Sequence, residues 1–196
     1  MNSSRFATLC VALGLAALFT NSSQARVYTD ASNDLFDNGF ANLDITSVEV
    51  TNDSSNVTFT VTTRGFSGWT KYLIGIRTAA AATGGSTTGN LWGRNNTYAE
   101  GIDYQLASWV DWGGGVGFSH YVSGSWSSVS GASLDLTQTG ANKVSWTVSL
   151  ASLGVALGET FKFDVGTSGG GNDPFVDVAS RTDASTSGWG SASTGG

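Results

Sequence analysis

The sequence predicts an all-β protein, a two-sheet antiparallel β-sandwich of jelly-roll or immunoglobulin-like type with at most one short helix. Apolar residues alternate with small polar ones over short runs, which is the mark of half-buried strands. Clusters of Asn, Asp, Ser and Gly separate those runs, as turns require, and 27 of the 196 residues are glycine. No apolar repeat of 3.6 residues extends beyond one short segment, so helices have no amphipathic face to bury.

Each element follows from this alternation. Val57, Phe59 and Val61 share one face, with Thr58, Thr60 and Thr62 on the other. The same period recurs at Tyr72, Ile74 and Ile76, at Ile102, Tyr104 and Leu106, at Val144, Trp146 and Val148, and at Phe161, Phe163 and Val165. Asn52-Asp53-Ser54-Ser55-Asn56 lies between two apolar stretches and reads as a hairpin turn. Between Ile45 and Val48 the apolar phase slips by one residue, which predicts a bulge. Ser149 to Gly154 is the helix candidate, and Pro174, the one proline, falls in a loop.

Residues 1–25 read as a signal peptide. Arg5 precedes an apolar run from Phe6 to Phe19, and Ser23-Gln24-Ala25 offers the small residues of a cleavage site. The run is too short for a membrane span, so the expectation is a secreted or periplasmic protein without membrane insertion. Residues 26–190 then form a single domain, and the Gly- and Ser-rich residues 191–196 a flexible tail. Cleavage after Ala25 removes Cys10 and Met1, so no disulfide can hold the mature chain. It also leaves eight basic residues against fifteen acidic, a formal charge of −7. That balance argues against nucleic acid or an anionic membrane as partner, and the domain is expected to be a monomer.

Twelve of the fifteen acidic residues are aspartate, and Asp30, Asp34, Asp37 and Asp44 crowd one early segment. Carboxylates so close together repel unless a cation lies between them, and calcium takes six to eight oxygen ligands from such loops. The alternative is a set of Asx turns with solvated carboxylates. Zinc is excluded by inventory, because the mature chain has His120 as its one histidine and no cysteine. Haem lacks an axial methionine for the same reason.

Catalytic candidates are few. Gly166-Thr167-Ser168-Gly169-Gly170 spells Gly-x-Ser-x-Gly, but a nucleophile elbow needs a helix after the serine, and Gly171-Asn172-Asp173-Pro174 follows. A jelly-roll glycoside hydrolase would need two opposed carboxylic acids. Glu49, Glu100 and Glu159 are the three glutamates on offer, and each reads as a surface residue.

The tryptophans carry more. In the run from Ile102 to Trp112 the even positions are apolar, whereas Trp109 alternates with Asp103, Gln105 and Asp111 on a face that reads as solvent-facing. Aromatic faces stack on the axial C–H groups of a pyranose while neighbouring polar groups bond its hydroxyls. Trp92, Trp109, Trp112 and Trp126, with Arg94, Asp103, Gln105 and Asp111, are therefore the candidate platform for a polysaccharide or other glycan. The alternative is that these rings cover the second sheet face beneath long loops. Trp146, between Val144 and Val148, reads as core.

The segments DASNDLFDNGFANLDITSVEVTNDSSNVTFTV, WTKYLIGI, GIDYQLASWVD, VSWTVSLASLG and FKFDVGTSGGGNDPFVD resemble the DOMON-like β-sandwich superfamily. Within it they are most similar to family 9 carbohydrate-binding modules and glucodextranase C-terminal modules. In those modules a loop of the form Asp-Pro-x-Gly-Asp-Asp-x-Gly, ahead of an Asp-Ile strand, binds calcium with a distal acidic segment. The resemblance implies that Asp30, Asp34, Asp37 and Asp44 bind the ion together with Asp173 and Asp177. Ala31 and Asn33 stand where that pattern has proline and glycine. The expectation is a non-catalytic, calcium-stabilised carbohydrate-binding module, with a small glycanase and a structural surface module as rivals.

Overall fold

A computed structural model describes residues 24–79, 85–89, 96–170 and 173–196. Most of the expected signal peptide, up to residue 23, lies outside these, as do Trp92 and Arg94 of the expected platform. The described residues form strands β1 (Gln24–Thr29), β2 (Ile45–Asn52), β3 (Asn56–Thr63), β4 (Lys71–Thr78), β5 (Asn96–Thr97), β6 (Tyr104–Trp109), β7 (Gly115–Val122), β8 (Ser125–Ser128), β9 (Ala132–Asp135), β10 (Lys143–Ser149), β11 (Phe161–Ser168), β12 (Phe175–Val178) and β13 (Ser193–Thr194). They pair into a five-stranded sheet, β1-β2-β3-β10-β9, and a six-stranded sheet, β12-β11-β4-β6-β7-β8. Both are antiparallel throughout.

The inward positions of the two sheets meet in one core. Val48, Val57, Phe59, Val61, Val144, Trp146 and Val148 from the first sheet pack on Tyr72, Ile74, Ile76, Leu106, Phe118 and Val165 from the second. Trp146 is fully buried, stacks obliquely 5.2 Å from Tyr72, and donates its indole N–H to Ser108 Oγ at 2.7 Å. That bond joins β10 to β6 across the sandwich, so the ring is both filler and cross-brace.

The local expectations hold at the turn and the bulge. Asp53 Oδ1 accepts from the amides of Ser55 and Asn56, closing the β2–β3 hairpin. The β2–β3 register shifts between Ile45 and Ser47, where the apolar phase slips. Ser149 to Gly154 makes turns and no helix, its amides returning to Ser149 and Ala151. A 3-10 turn at Thr139–Ala141 is the one helical element among the described residues.

Two expectations need correction. The face of β6 that alternation assigns to solvent is covered: Asp103 is 4% exposed and Gln105 fully buried. Tyr98, Ile102, Phe175 and Val178 form a second apolar cluster with Leu73 and Ala107 against that outer face. The tail does not fray, because Ser193 and Thr194 pair in parallel with β5 and Gly195 donates to Thr97 O at 2.7 Å. Ser193 Oγ also accepts from the Phe175 amide, which ties the tail to β12.

The covering layer is packed closely enough to test. A Cβ on Gly75 would lie 2.5 Å from the Tyr98 ring. Gly75→Ala is therefore expected to cost about 1–3 kcal/mol through overpacking. Urea denaturation measures it, and a neutral substitution would mean that Tyr98 does not rest on β4.

Candidate metal centre and aromatic rim

The segment between β1 and β2 folds over the edge of the sandwich and turns its carboxylates inward. Asp34, Asp44 and Asp177 each place a carboxylate oxygen within 4.8 Å of the others. Asp44 precedes β2 and Asp177 lies on β12, so the pocket joins the two sheets. Both are buried, at 0% and 2% exposure. Asp30, just after β1, lies near enough to feel the charges of Asp34 and Asp44, though it is not among the three carboxylates that meet.

Protein donors account for only part of this oxygen set. Asp177 accepts from Ile45 N at 2.5 Å and Val178 N at 2.8 Å. Asp44 Oδ2 accepts from Asn33 N at 3.0 Å and from Arg64 Nε at 2.6 Å. Among the described residues nothing donates to Asp44 Oδ1, to Asp30 Oδ2 or to either oxygen of Asp34, although all four atoms are shielded from solvent. Buried carboxylate oxygens without donors cost free energy, and one guanidinium cannot balance four carboxylates.

Their proton affinities report that imbalance. Burial first, then the charges of Asp30 and Asp34, pushes the Asp177 carboxyl up to about 8, against the Ile45 and Val178 amides, which lower it. Burial first, then Asp34, Asp44 and Asp164, raises Asp30 to about 7 despite the Ala31 amide. Asp34 is raised by burial and by Asp44 and Asp183. A divalent cation would supply the missing positive charge, and a donor set made only of oxygens suits a hard ion such as calcium.

Two of the six expected ligands stand elsewhere. Asp37 is exposed at the loop tip, where its Oδ1 accepts from Gly39 N at 2.9 Å. It serves the turn, not the pocket. Asp173 lies beside Gly169 together with the Trp189 ring. One participant lacked a sequence signal: Arg64, which also donates to Asn38 O at 2.6 Å; Asp164, on β11, acts on the group only through its charge on Asp30.

The expected sugar platform is divided. Trp109 is 36% and Trp112 98% exposed, with Asp111 between them held by Lys71 at 3.3 Å. Asp103 accepts from the amide and hydroxyl of Thr78, and Gln105 donates to the Tyr98 hydroxyl, so both serve the covering layer. Trp126 is half-buried against Tyr121. It lies near the far end of β7 from Gly115, the residue opposite Trp109, about 20 Å away at strand rise. For Asp103, Gln105 and Trp126 the covering-layer alternative describes the structure better, whereas Trp109 and Trp112 stay exposed.

Alternation misses a second set of rings, all from loops. Phe40 meets Trp189 at 5.2 Å and Trp69 at 6.1 Å, and Phe36 meets Trp189 at 5.3 Å, each edge to face. Trp69 and Trp189 remain 39% and 42% exposed. Gly68 sits against Asp111, and Lys71 Nζ donates to Trp69 O as well as to the Asp111 carboxylate. The loop bearing Trp69 therefore adjoins the turn bearing Trp112, and the rings form a rim along one end of the sandwich.

Hydrolytic chemistry finds no matching geometry among the described residues. Ser168 Oγ donates to the carbonyls of Asp173 and Pro174. His120 stacks on Tyr104 at 4.1 Å, three strands over and five residues along from Ser168. Glu100 pairs with Lys162 at 2.7 Å, which holds its carboxyl below the usual range, opposite to what a general acid needs. Glu159 accepts from Ala156 N, and Glu49 lies on β2. No helix among the described residues is long and apolar enough to cross a membrane. Comparison with protein-family models and with curated proteins finds no match to this chain, so the reading of its role rests on geometry and sequence.

Proposed function

We propose that this chain is an exported, non-catalytic carbohydrate-binding β-sandwich module, stabilised by calcium and binding a neutral polysaccharide chain along the aromatic rim. The observation that carries the glycan reading is Trp112. Its indole is 98% exposed and its backbone stands at φ 54°, a left-handed conformation that bulky residues seldom adopt. An apolar ring held in water on a costly backbone makes no contribution to the core, so its use lies outside the fold.

Its surroundings fit a sugar. Trp109, Trp112, Trp69 and Trp189 expose ring area, while Asp111, Lys71 and Asp173 stand beside them with hydrogen-bonding groups. The acidic balance of the chain disfavours an anionic glycan. The calcium half of the reading is supported by the carboxylate oxygens between the sheets that lack donors, and the ion would bind Asp30, Asp34, Asp44 and Asp177 there.

A glycan array probed with and without calcium tests the proposal. Wild-type protein is expected to retain neutral polysaccharides, and Trp112→Ala to weaken retention at least about tenfold, as stacked aromatics dominate small contacts. Stability should change by less than about 0.5 kcal/mol, as for other exposed positions. Absence of binding to every glycan, with the fold intact by circular dichroism, would leave the structural-module reading in its place.

A further inference from the structure

The acidic pocket and the aromatic rim are built from the same loop. Residues 30–44 give Asp30, Asp34 and Asp44 to the pocket and Phe36 and Phe40 to the rim. Phe40 sits between the Trp69 and Trp189 rings, and Phe36 abuts Trp189. Between the two functions lies a small apolar cluster of Leu35, Leu43 and Val176, with Phe36 and Phe40 packed on it. Val176 neighbours Asp177 on β12, so the strand that closes the pocket also seats the rim.

The end of this loop is tied to the sandwich, where Ala41 O accepts from Gly65 N at 2.8 Å, Asn42 Nδ2 donates to Thr70 Oγ1 at 2.7 Å and Leu43 O accepts from the Thr167 hydroxyl, whereas residues 31–40 have fewer ties. The loop has no regular secondary structure. Arg64 pins it at Asp44 and at Asn38 O, and short turns run from Asp37 to Phe40 and from Phe40 to Leu43. Against these ties stand the mutual repulsion of the pocket carboxylates and the oxygens of Asp30, Asp34 and Asp44 that lack a donor. Asp44 is fully buried, and although Arg64 meets its Oδ2, no donor among the described residues meets its Oδ1, which leaves a buried carboxylate oxygen that a cation could take.

We propose that cation binding in the pocket sets the rim: a divalent ion holding Asp30, Asp34, Asp44 and Asp177 together fixes Phe36 and Phe40, and these fix the Trp69 and Trp189 rings for ligand. The inference rests on the calcium and glycan readings above and adds an energetic link between them. By linkage the effect is reciprocal, so a glycan that favours the fixed rim raises calcium affinity by the same factor. Couplings carried by one shared element fall at roughly 5- to 150-fold.

The test begins with calcium alone. Isothermal calorimetry on the full mature chain gives the calcium affinity, and acrylamide quenching of tryptophan fluorescence reports the rim over the same titration. Calcium is expected to reduce quenching, and the response should shrink in Trp69→Phe and Trp189→Phe. Phe40→Leu should keep calcium affinity within about twofold while losing most of the quenching response, since it leaves the carboxylates in place. In a second arm, soluble mixed-linkage β-glucan and soluble dextrin serve as neutral probes in calcium and in chelator. The glucan that binds should do so at least about fivefold more tightly with calcium, and Phe40→Leu should remove that difference. Calcium binding without any change in quenching, or equal glucan affinity in calcium and chelator, overturns the link while leaving both separate sites intact. Absence of calcium heat overturns the cation reading and the link together, and a calcium response with neither glucan bound overturns the glucan half alone.

Discussion

Calcium at a hundred times its dissociation constant is expected to stabilise the protein by about 2.7 kcal/mol, as an ion does that binds the proposed pocket in the folded state and not the unfolded chain. The pH dependence should change sign with it. In the metal-free protein Asp30 and Asp177 bind protons up to about 7 and 8, against 3.8 when exposed. Between those limits the folded state holds more protons than the unfolded one, so the stability these two groups contribute is fully present below 3.8 and is lost as pH rises through the folded values. Loss on the order of a few kcal/mol from pH 5 to 8 is expected in chelator. Calcium takes over the role of the protons and should flatten or reverse that fall. Thermal melts at both pH values, with calcium and with chelator, decide the matter. A melting temperature indifferent to calcium at pH 8 would remove the cation from the pocket.

Trp146→Ala should produce the largest loss from any single core position. The side chain is fully buried between the sheets, and truncating it leaves a cavity beside Tyr72, at a cost of about 3–5 kcal/mol. It also strips Ser108 Oγ of its donor in a buried place. Trp146→Phe refills most of the volume but not the hydrogen bond, so the difference between the two variants isolates the cross-brace. Chemical denaturation gives both values. A loss for Trp146→Ala no greater than that for Trp112→Ala would show that the ring does not fill the core.

How much of this was legible depends on the kind of signal each feature leaves. Strands β3, β4, β10 and β11 could be placed because one face meets a core and the other does not, and alternation records that contrast directly. The β2–β3 hairpin and the bulge carried turn and phase signals of their own. The covering layer left no period, since β5, β12 and β13 are two to four residues long and lie among Gly and Ser. One trace of it was present: Tyr72-Leu73-Ile74-Gly75-Ile76 is a run without polar interruption, as expected of a strand buried on both faces. Reading β6 as half-solvated ignored that its neighbour β4 was not. Asp30, Asp34 and Asp44 were visible as a local cluster, whereas Asp177 came only through the resemblance. The rings of Phe36, Phe40, Trp69 and Trp189 come from loops, where spacing says nothing about which side chains meet.

The bond from Ile45 N to Asp177 spans 132 residues of sequence. Closing so large a loop costs chain entropy early and repays it only when the last strands arrive, so folding should be slow for a domain of this size. The same contact governs escape from the native state. With Cys10 as its one cysteine the chain can form no internal disulfide to tie its two ends, and the pocket beside Ile45 stands where such a staple would be most effective. A clasp that sets only after the C-terminal strand has docked acts chiefly by slowing unfolding, and thereby lengthens the time for which the folded protein resists proteases.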